Sequence, residues 1–343
     1  MPKPRLRAAL VWGGLAVSLG FTYLAVRDID VAVFWNGIRE SELWWVAPSF
    51  AALCLTVYLR GLRWRLLFAP RTRPPMRAVM IALLIGYLFN NILPARAGEA
   101  ARVVALKQQA GTSRAEAVGT AVTERVFDVL AVLVLLFVSL PFLPQVTWVR
   151  TAAVLGIVLF AGLLAAIAVL ALYGERPARF ALRPLARLPG LSVEQTDRAA
   201  ANLVHGLAGF RDLRLALPAF LLTAVSWLVL ALSFWLLMLG FDLGVGYEAG
   251  LLVVVATSLA MIIPSSPAAV GVFEAATQVA LGAWGIGDSE ALSYAVVLHV
   301  VNFLPSVVVG YVVLHRHAAT LRVRSRQSES ADPGTPAADA ERP

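Results

Sequence analysis

Long apolar runs constrain this chain more than any other feature. Six of them, Ala8–Val26, Leu43–Leu59, Ala117–Leu143, Thr151–Tyr173, Leu215–Gly240 and Ala291–Leu314, approach or exceed the ~20 residues that a helix needs to cross hydrocarbon. Two more, Ala78–Leu93 and Ala249–Ile263, are shorter, and each stops at a proline. The charge deficit agrees with this reading. Only 15% of residues are charged, against roughly 25% in a soluble domain, and the mean hydropathy is +0.76.

A net charge of +8 raises the question of nucleic acid, but the arginines stand in short loops between apolar runs, where membrane topology accounts for them. No nucleic-acid partner is expected. The single cysteine, Cys54, lies inside an apolar run, which excludes an intrachain disulfide and a cysteine-based metal site. The four histidines, at 205, 299, 315 and 317, form no His-x-x-x-His pair. Neither a metal nor a cofactor is expected. The first run follows Lys3, Arg5 and Arg7 as a signal peptide would, yet it is long and no small-residue cleavage site follows, so it reads as an uncleaved helix.

Lysine and arginine counts order the loops. The segment before Ala8 has three, 60–77 has six, 94–116 has four, 174–214 has seven and the stretch after Leu314 has five. Segments 241–248 and 285–290 have none, 144–150 has one, and 27–42 sets two against four acids. If both short runs crossed fully, the basic segment 94–116 would lie outside. If each dips in and returns, every arginine-rich segment is cytoplasmic. The expected fold is therefore an all-α polytopic bundle of six spanning helices and two re-entrant hairpins, in the cell membrane, with both termini cytoplasmic. Residues 1–324 form the membrane domain and 325–343, rich in Ser, Asp, Pro, Ala and Glu, a disordered tail. Within 174–214, Leu203, Leu207 and Phe210 share a helical face, which suits either a helix lying on the membrane surface or a solvated linker.

The two hairpins share a pattern. Pro94-x-x-x-Gly98 precedes Glu99, and Pro264, Pro267 and Gly271 precede Glu274. In the topology above the first enters from inside and the second from outside. Paired Pro/Gly-broken apolar segments in inverted arrangement are a sequence pointer to a transport site.

Ionised groups near hydrocarbon cost ~2.5–3.5 kcal/mol each on insertion scales and need a reason. Three sets qualify. Arg96, Glu99 and Arg102 surround the first hairpin with Asn90 and Asn91, whose amides can satisfy a broken backbone. A guanidinium there can hold a lipid phosphate, or Glu99 and Arg102 can simply pair on one helical face. Glu124 and Asp128 share a face of the third run and repel unless Arg96, Arg102 or Arg125 lies close. Glu274, flanked by Val272, Phe273, Ala275 and Ala276, reads as buried. It can pair with an arginine of the first hairpin, take up a proton, or complement a helix dipole. By contrast Arg60, Arg63 and Arg65, directly after the second run, read as an anchor to anionic head groups. His299, Asn302 and Pro305 read as interior packing or a kink in the last run.

Arg60-Gly61-Leu62-Arg63-Trp64-Arg65, then Asn91-Ile92-Leu93-Pro94-Ala95-Arg96-Ala97-Gly98-Glu99-x-x-Arg102, then Glu124-Arg125-x-x-Asp128, then Pro267-x-x-x-Gly271-Val272-Phe273-Glu274 occur in that order. Together they resemble the lysylphosphatidylglycerol synthase transmembrane family, a flippase-like membrane family, over nearly the whole chain. The resemblance implies movement of amino-acylated or glycosylated lipids between leaflets. Relatives carry fused aminoacyl or glycosyl transferases; the 29 residues after Leu314 leave no room for one, so no enzyme activity is expected. Two departures stand out. Ala268 and Ala269 replace glycines usual in the second hairpin, and His299 occupies the region where relatives often carry an arginine.

The leading expectation is thus a lipid translocator. Arg96 and Arg102 would hold a phosphate, with Asn90, Asn91 and Arg125 around the same head group. Glu99, Glu124, Asp128 and Glu274 would balance or relay charge. The alternatives are a membrane partner or anchor of a separate lipid-modifying transferase, docked through 174–214, and a membrane enzyme. The last would need an acid/base pair such as Glu99 with Glu124, but no Asp-x-Asp, histidine cluster or activated serine or cysteine accompanies it.

Overall fold

Backbone groups in lipid must be satisfied within the protein, and the described chain consists of helices joined by turns and short connections. A computed structural model describes residues 4–93, 97–187, 192–207, 213–262 and 266–330, and among these there is no strand. In chain order the helices are α1 (Pro4–Val26), α2 (Val31–Glu40), α3 (Val46–Leu66), α4 (Met76–Ile92), α5 (Gly98–Ala110), α6 (Arg114–Ser139), α7 (Thr147–Tyr173), α8 (Glu175–Leu182), α9 (Val193–Leu207), α10 (Leu213–Gly240), α11 (Tyr247–Ala260), α12 (Val272–Gly282) and α13 (Asp288–Ser330).

Five stretches are long and apolar enough to cross a membrane: Leu43–Leu66, Glu116–Phe142, Thr147–Leu170, Arg214–Gly240 and Asp288–Arg316. They correspond to five of the six spans expected. For the sixth, Ala8–Val26, the structure has the helix α1, whose described apolar part is Leu15–Val26. Helix α7 is the most lipid-like, with Leu155, Val158 and Leu172 among many exposed apolar side chains. Of the expected disordered tail, residues 331–343 lie outside the described residues, as do the side chains of the proposed face Leu203, Leu207 and Phe210.

The two short runs behave as paired segments. Helix α4 ends at Ile92, α5 begins at Gly98, and the two pack against each other. Contact is close because both sides present glycine: a Cβ on Gly98 would lie 2.0 Å from the Gly86 carbonyl oxygen and 2.5 Å from Asn90 Oδ1. Helix α11 likewise ends at Ala260 and packs on α12. Between them Pro267–Ala269 form a short 3-10 turn in which Ala268 and Ala269 both have φ of 58°. Gly271, at φ 82°, starts α12; a Cβ there would run into the Thr22 and Ser18 backbone of α1. Pro94 and Pro264 lie outside the described residues.

Helices α3 and α10 form the most extensive seam. Ser49 Oγ donates to the Ser233 carbonyl at 2.8 Å and Ser233 Oγ returns the bond to the Ser49 carbonyl at 2.7 Å, small residues permitting close approach. The main apolar core gathers α6, α10, α11, α12 and α13 around Phe234, Phe273 and Tyr294. A second core joins α3, α4 and α5 around Trp64, Phe68 and Leu106. The turn of the second hairpin, Pro267–Ala269, rests on α4 of the first.

Candidate functional site

The site grows from the end of α3. Arg60 and Arg63 are three residues apart and share a face of that helix, while Arg65 points about 160° away from Arg63. Arg65 Nε donates to the Pro74 carbonyl at 2.9 Å. Arg63 instead turns inward, its side chain only 4% exposed. Its Nη2 donates to Glu124 Oε1 at 2.8 Å and its Nη1 to Asp128 Oδ1 at 2.5 Å. The anchor reading of this cluster is therefore corrected for Arg63, which belongs to the protein interior.

From Glu124 the charges continue. Arg102 Nη1 lies 2.7 Å from Glu124 Oε2, and Arg102 Nη2 lies 2.8 Å from Glu99 Oε2. Glu99 also pairs with Arg125, and Arg125 lies 3.7 Å from Asp128, which returns to Arg63. Three arginines and three carboxylates thus alternate in a closed ring drawn from α3, α5 and α6. Each acid touches two arginines, so the repulsion expected between Glu124 and Asp128 is offset from both sides. Aromatic and hydroxyl groups fix the ring: the Arg102 guanidinium lies 4.7 Å from the Trp64 ring centroid, Trp227 Nε1 donates to Asp128 Oδ1 at 3.2 Å, and Arg63 Nη1 reaches Thr223 Oγ1 at 3.3 Å. In surroundings of low dielectric such contacts hold more strongly than in water.

Arg60 stays outside the ring. Its guanidinium lies over Trp227, 4.9 Å from the ring centroid. Together with Asn90 and the ring residues it lines a pocket of about 90 Å³. Arg60, Asn90, Glu99, Arg125 and Asp128 also line a cavity of about 870 Å³, whose other walls include Leu53, Leu133, Leu159, Leu230, Phe234 and Phe303. Both hairpins contribute, the first through Asn90, Asn91, Leu93 and Glu99, the second through Thr257, Met261, Ser266 and Ala269.

Six of the nine binding residues expected from sequence, Asn90, Glu99, Arg102, Glu124, Arg125 and Asp128, line the smaller pocket, and Asn91 lines the larger cavity. Arg96 lies outside the described residues. Glu274 stands elsewhere. Its Oε2 accepts from the Gly271 N–H at 2.7 Å, capping α12, and its Oε1 is 2.5 Å from His299 Nδ1. Its partner is a histidine, not an arginine of the first hairpin. His299 packs against Phe273 and Phe303, which line the cavity, so the pair lies behind its wall.

These features define a multi-pass helical membrane protein with two broken helical pairs and a charged cluster on a mostly apolar cavity. The chain belongs to the family described as the lysylphosphatidylglycerol synthase TM region, whose model matches residues 11–310. It is also similar to a UPF0104 membrane protein of Methanothermobacter thermautotrophicus, 24% identical over 301 residues, covering 82% of this chain and 88% of that relative. Both agree with the resemblance carried by the motifs.

Proposed function

We propose that this chain moves a phospholipid or glycolipid between leaflets, as a non-enzymatic flippase-like protein of the cell membrane. The observation that carries the reading is the amphipathic cavity. Arg60, three members of the charged ring (Glu99, Arg125 and Asp128) and two amides stand on a lining that is otherwise mostly apolar, and both hairpins contribute to it. A lipid divides its chemistry in the same way, with a polar head that must be kept from hydrocarbon and chains that need not be. In this reading α1 and the five long helices span the bilayer, the hairpins dip in from opposite faces, and both termini are cytoplasmic, which keeps every arginine-rich segment on one side. Membrane lipids are the partners.

The test is leaflet exchange of fluorescent phospholipids in liposomes containing the purified chain. Val129→Trp together with Leu159→Trp, which fill the apolar part of the cavity, is expected to abolish exchange while leaving the protein folded. Exchange that persists in this variant, or is no faster with wild type than in empty liposomes, refutes the reading. Topology is checked separately with Cys54→Ser and Lys107→Cys: the new thiol is expected to react only from the cytoplasmic side.

A further inference from the structure

The ring is electrically closed. Arg63, Arg102 and Arg125 balance Glu99, Glu124 and Asp128, and each of the three acids contacts two of the three arginines. The remaining cation on the described lining of the pocket is Arg60. Among the described residues no ion pair reaches it, and its Nε, like those of Arg63 and Arg102, is buried without a hydrogen-bond partner. It is held over Trp227 at the boundary between the ring and the apolar walls. A cation in such surroundings is poorly compensated and calls for an anion.

We infer that Arg60 is the anion-binding residue of the cavity and that its ligand is a net negative, phosphate-bearing head group. This deepens the translocation reading and rests on it for the choice of a lipid as ligand. The guanidinium presents its donors as a fork that matches phosphate oxygens. Asn90 and Asn91, on the same lining, supply amide donors for further oxygens. The apolar walls receive an acyl chain. A head group whose net charge is positive is matched less well, because Glu99, Glu124 and Asp128 are each already shared between two arginines. The role expected for Arg102 falls to Arg60 because Arg102 is buried, its two terminal nitrogens face Glu99 and Glu124, and it does not line the larger cavity as Arg60 does.

The experiment is equilibrium binding to the full chain in detergent micelles with three probes: dioctanoyl phosphatidylglycerol, dioctanoylglycerol, which lacks the phosphate, and sodium phosphate, which lacks the chains. Wild type is expected to bind phosphatidylglycerol best. Arg60→Gln weakens that binding roughly tenfold or more and brings it to the level of dioctanoylglycerol. Arg60→Lys, which keeps the charge and loses the fork, falls between. Thermal unfolding followed by tryptophan fluorescence checks that each variant is folded, and if Arg60→Gln is not, the intermediate affinity of Arg60→Lys carries the test. Equal affinity of wild type and Arg60→Gln, or of phosphatidylglycerol and dioctanoylglycerol in wild type, overturns the assignment. Displacement of the lipid by an equal concentration of sodium phosphate keeps the anion site but makes its ligand a water-soluble phosphate. Leaflet exchange is a separate readout. Wild type that binds through Arg60 yet moves no lipid removes translocation and leaves the anion site. Lipid exchange indifferent to Arg60→Gln, together with unchanged binding, removes the anion site and leaves translocation.

Discussion

Replacing Arg63 with methionine keeps most of the side-chain volume at the end of α3 and removes one member of the charged ring. Two carboxylates lose a partner at once. Glu124, 2% exposed, retains Arg102 at 2.7 Å. Asp128, 14% exposed, retains the Trp227 N–H at 3.2 Å and, as its one remaining ion pair, Arg125 at 3.7 Å, and Arg125 is itself half-exposed. Stripping one partner from a buried ion pair costs about 3–5 kcal/mol, and because Glu124 keeps a close arginine we expect a loss of about 3–4 kcal/mol here. The sign of the cause is testable. Arg63→Met with Asp128→Asn leaves Arg125, Glu99, Arg102 and Glu124 as a balanced open chain. That double variant should recover about 2 kcal/mol of the loss, a coupling measurable by a double-mutant cycle. The assay is reversible unfolding in mixed micelles of increasing dodecyl sulfate fraction, followed by far-ultraviolet circular dichroism. A cost for Arg63→Met below about 1 kcal/mol, the scale of a solvated surface pair, would refute the reasoning. So would a double variant no more stable than the sum of its single changes.

The remaining predictions use the same unfolding assay. Ala268→Gly should stabilise the protein by about 0.5–1 kcal/mol, because the alanine sits at φ 58°, a left-handed conformation that glycine adopts without strain. Ala269→Gly, at the same φ but only 6% exposed, should be near neutral, the loss of a buried methyl offsetting the relief. Gly98→Ala should cost at least about 2 kcal/mol, since its Cβ would stand 2.0 Å from a backbone oxygen of α4. Gly162→Ala on lipid-facing α7, with nothing within 4 Å, should be neutral or slightly stabilising.

The breaks in the two short runs could be read from proline and glycine, because these residues act locally: one removes a donor and clashes with the preceding turn, the other permits backbone contact. That Glu124 and Asp128 require a cation was legible for a similar reason, since a spacing of four places both on one helical face, and the structure supplies Arg102 and Arg125 as expected. Arg63 was missed because Arg60, Arg63 and Arg65 look like one cluster in a linear count. Helical phase separates them, and the three-residue spacing of Arg60 and Arg63 was the available signal. The choice between an arginine and His299 as partner for Glu274 depends on how α12 meets α13. That is a matter of tertiary packing, on which neither local propensity nor periodicity bears. The Ala268–Ala269 turn is a further case: composition predicts no left-handed alanine, yet both have φ of 58° in a turn that packs against α4.

A closed loop of links has a mechanical property that a row of separate links lacks: any division of it into two parts severs two connections. In this protein α3 cannot leave α6 without parting Arg63 from both Glu124 and Asp128, and α5 cannot leave α6 without parting both Arg102 from Glu124 and Glu99 from Arg125. The ring thus ties the three helices to one another. Opening of the adjoining chamber is cheapest along seams that carry only apolar groups, such as the one between α6 and α7, where Phe137 packs on Phe160.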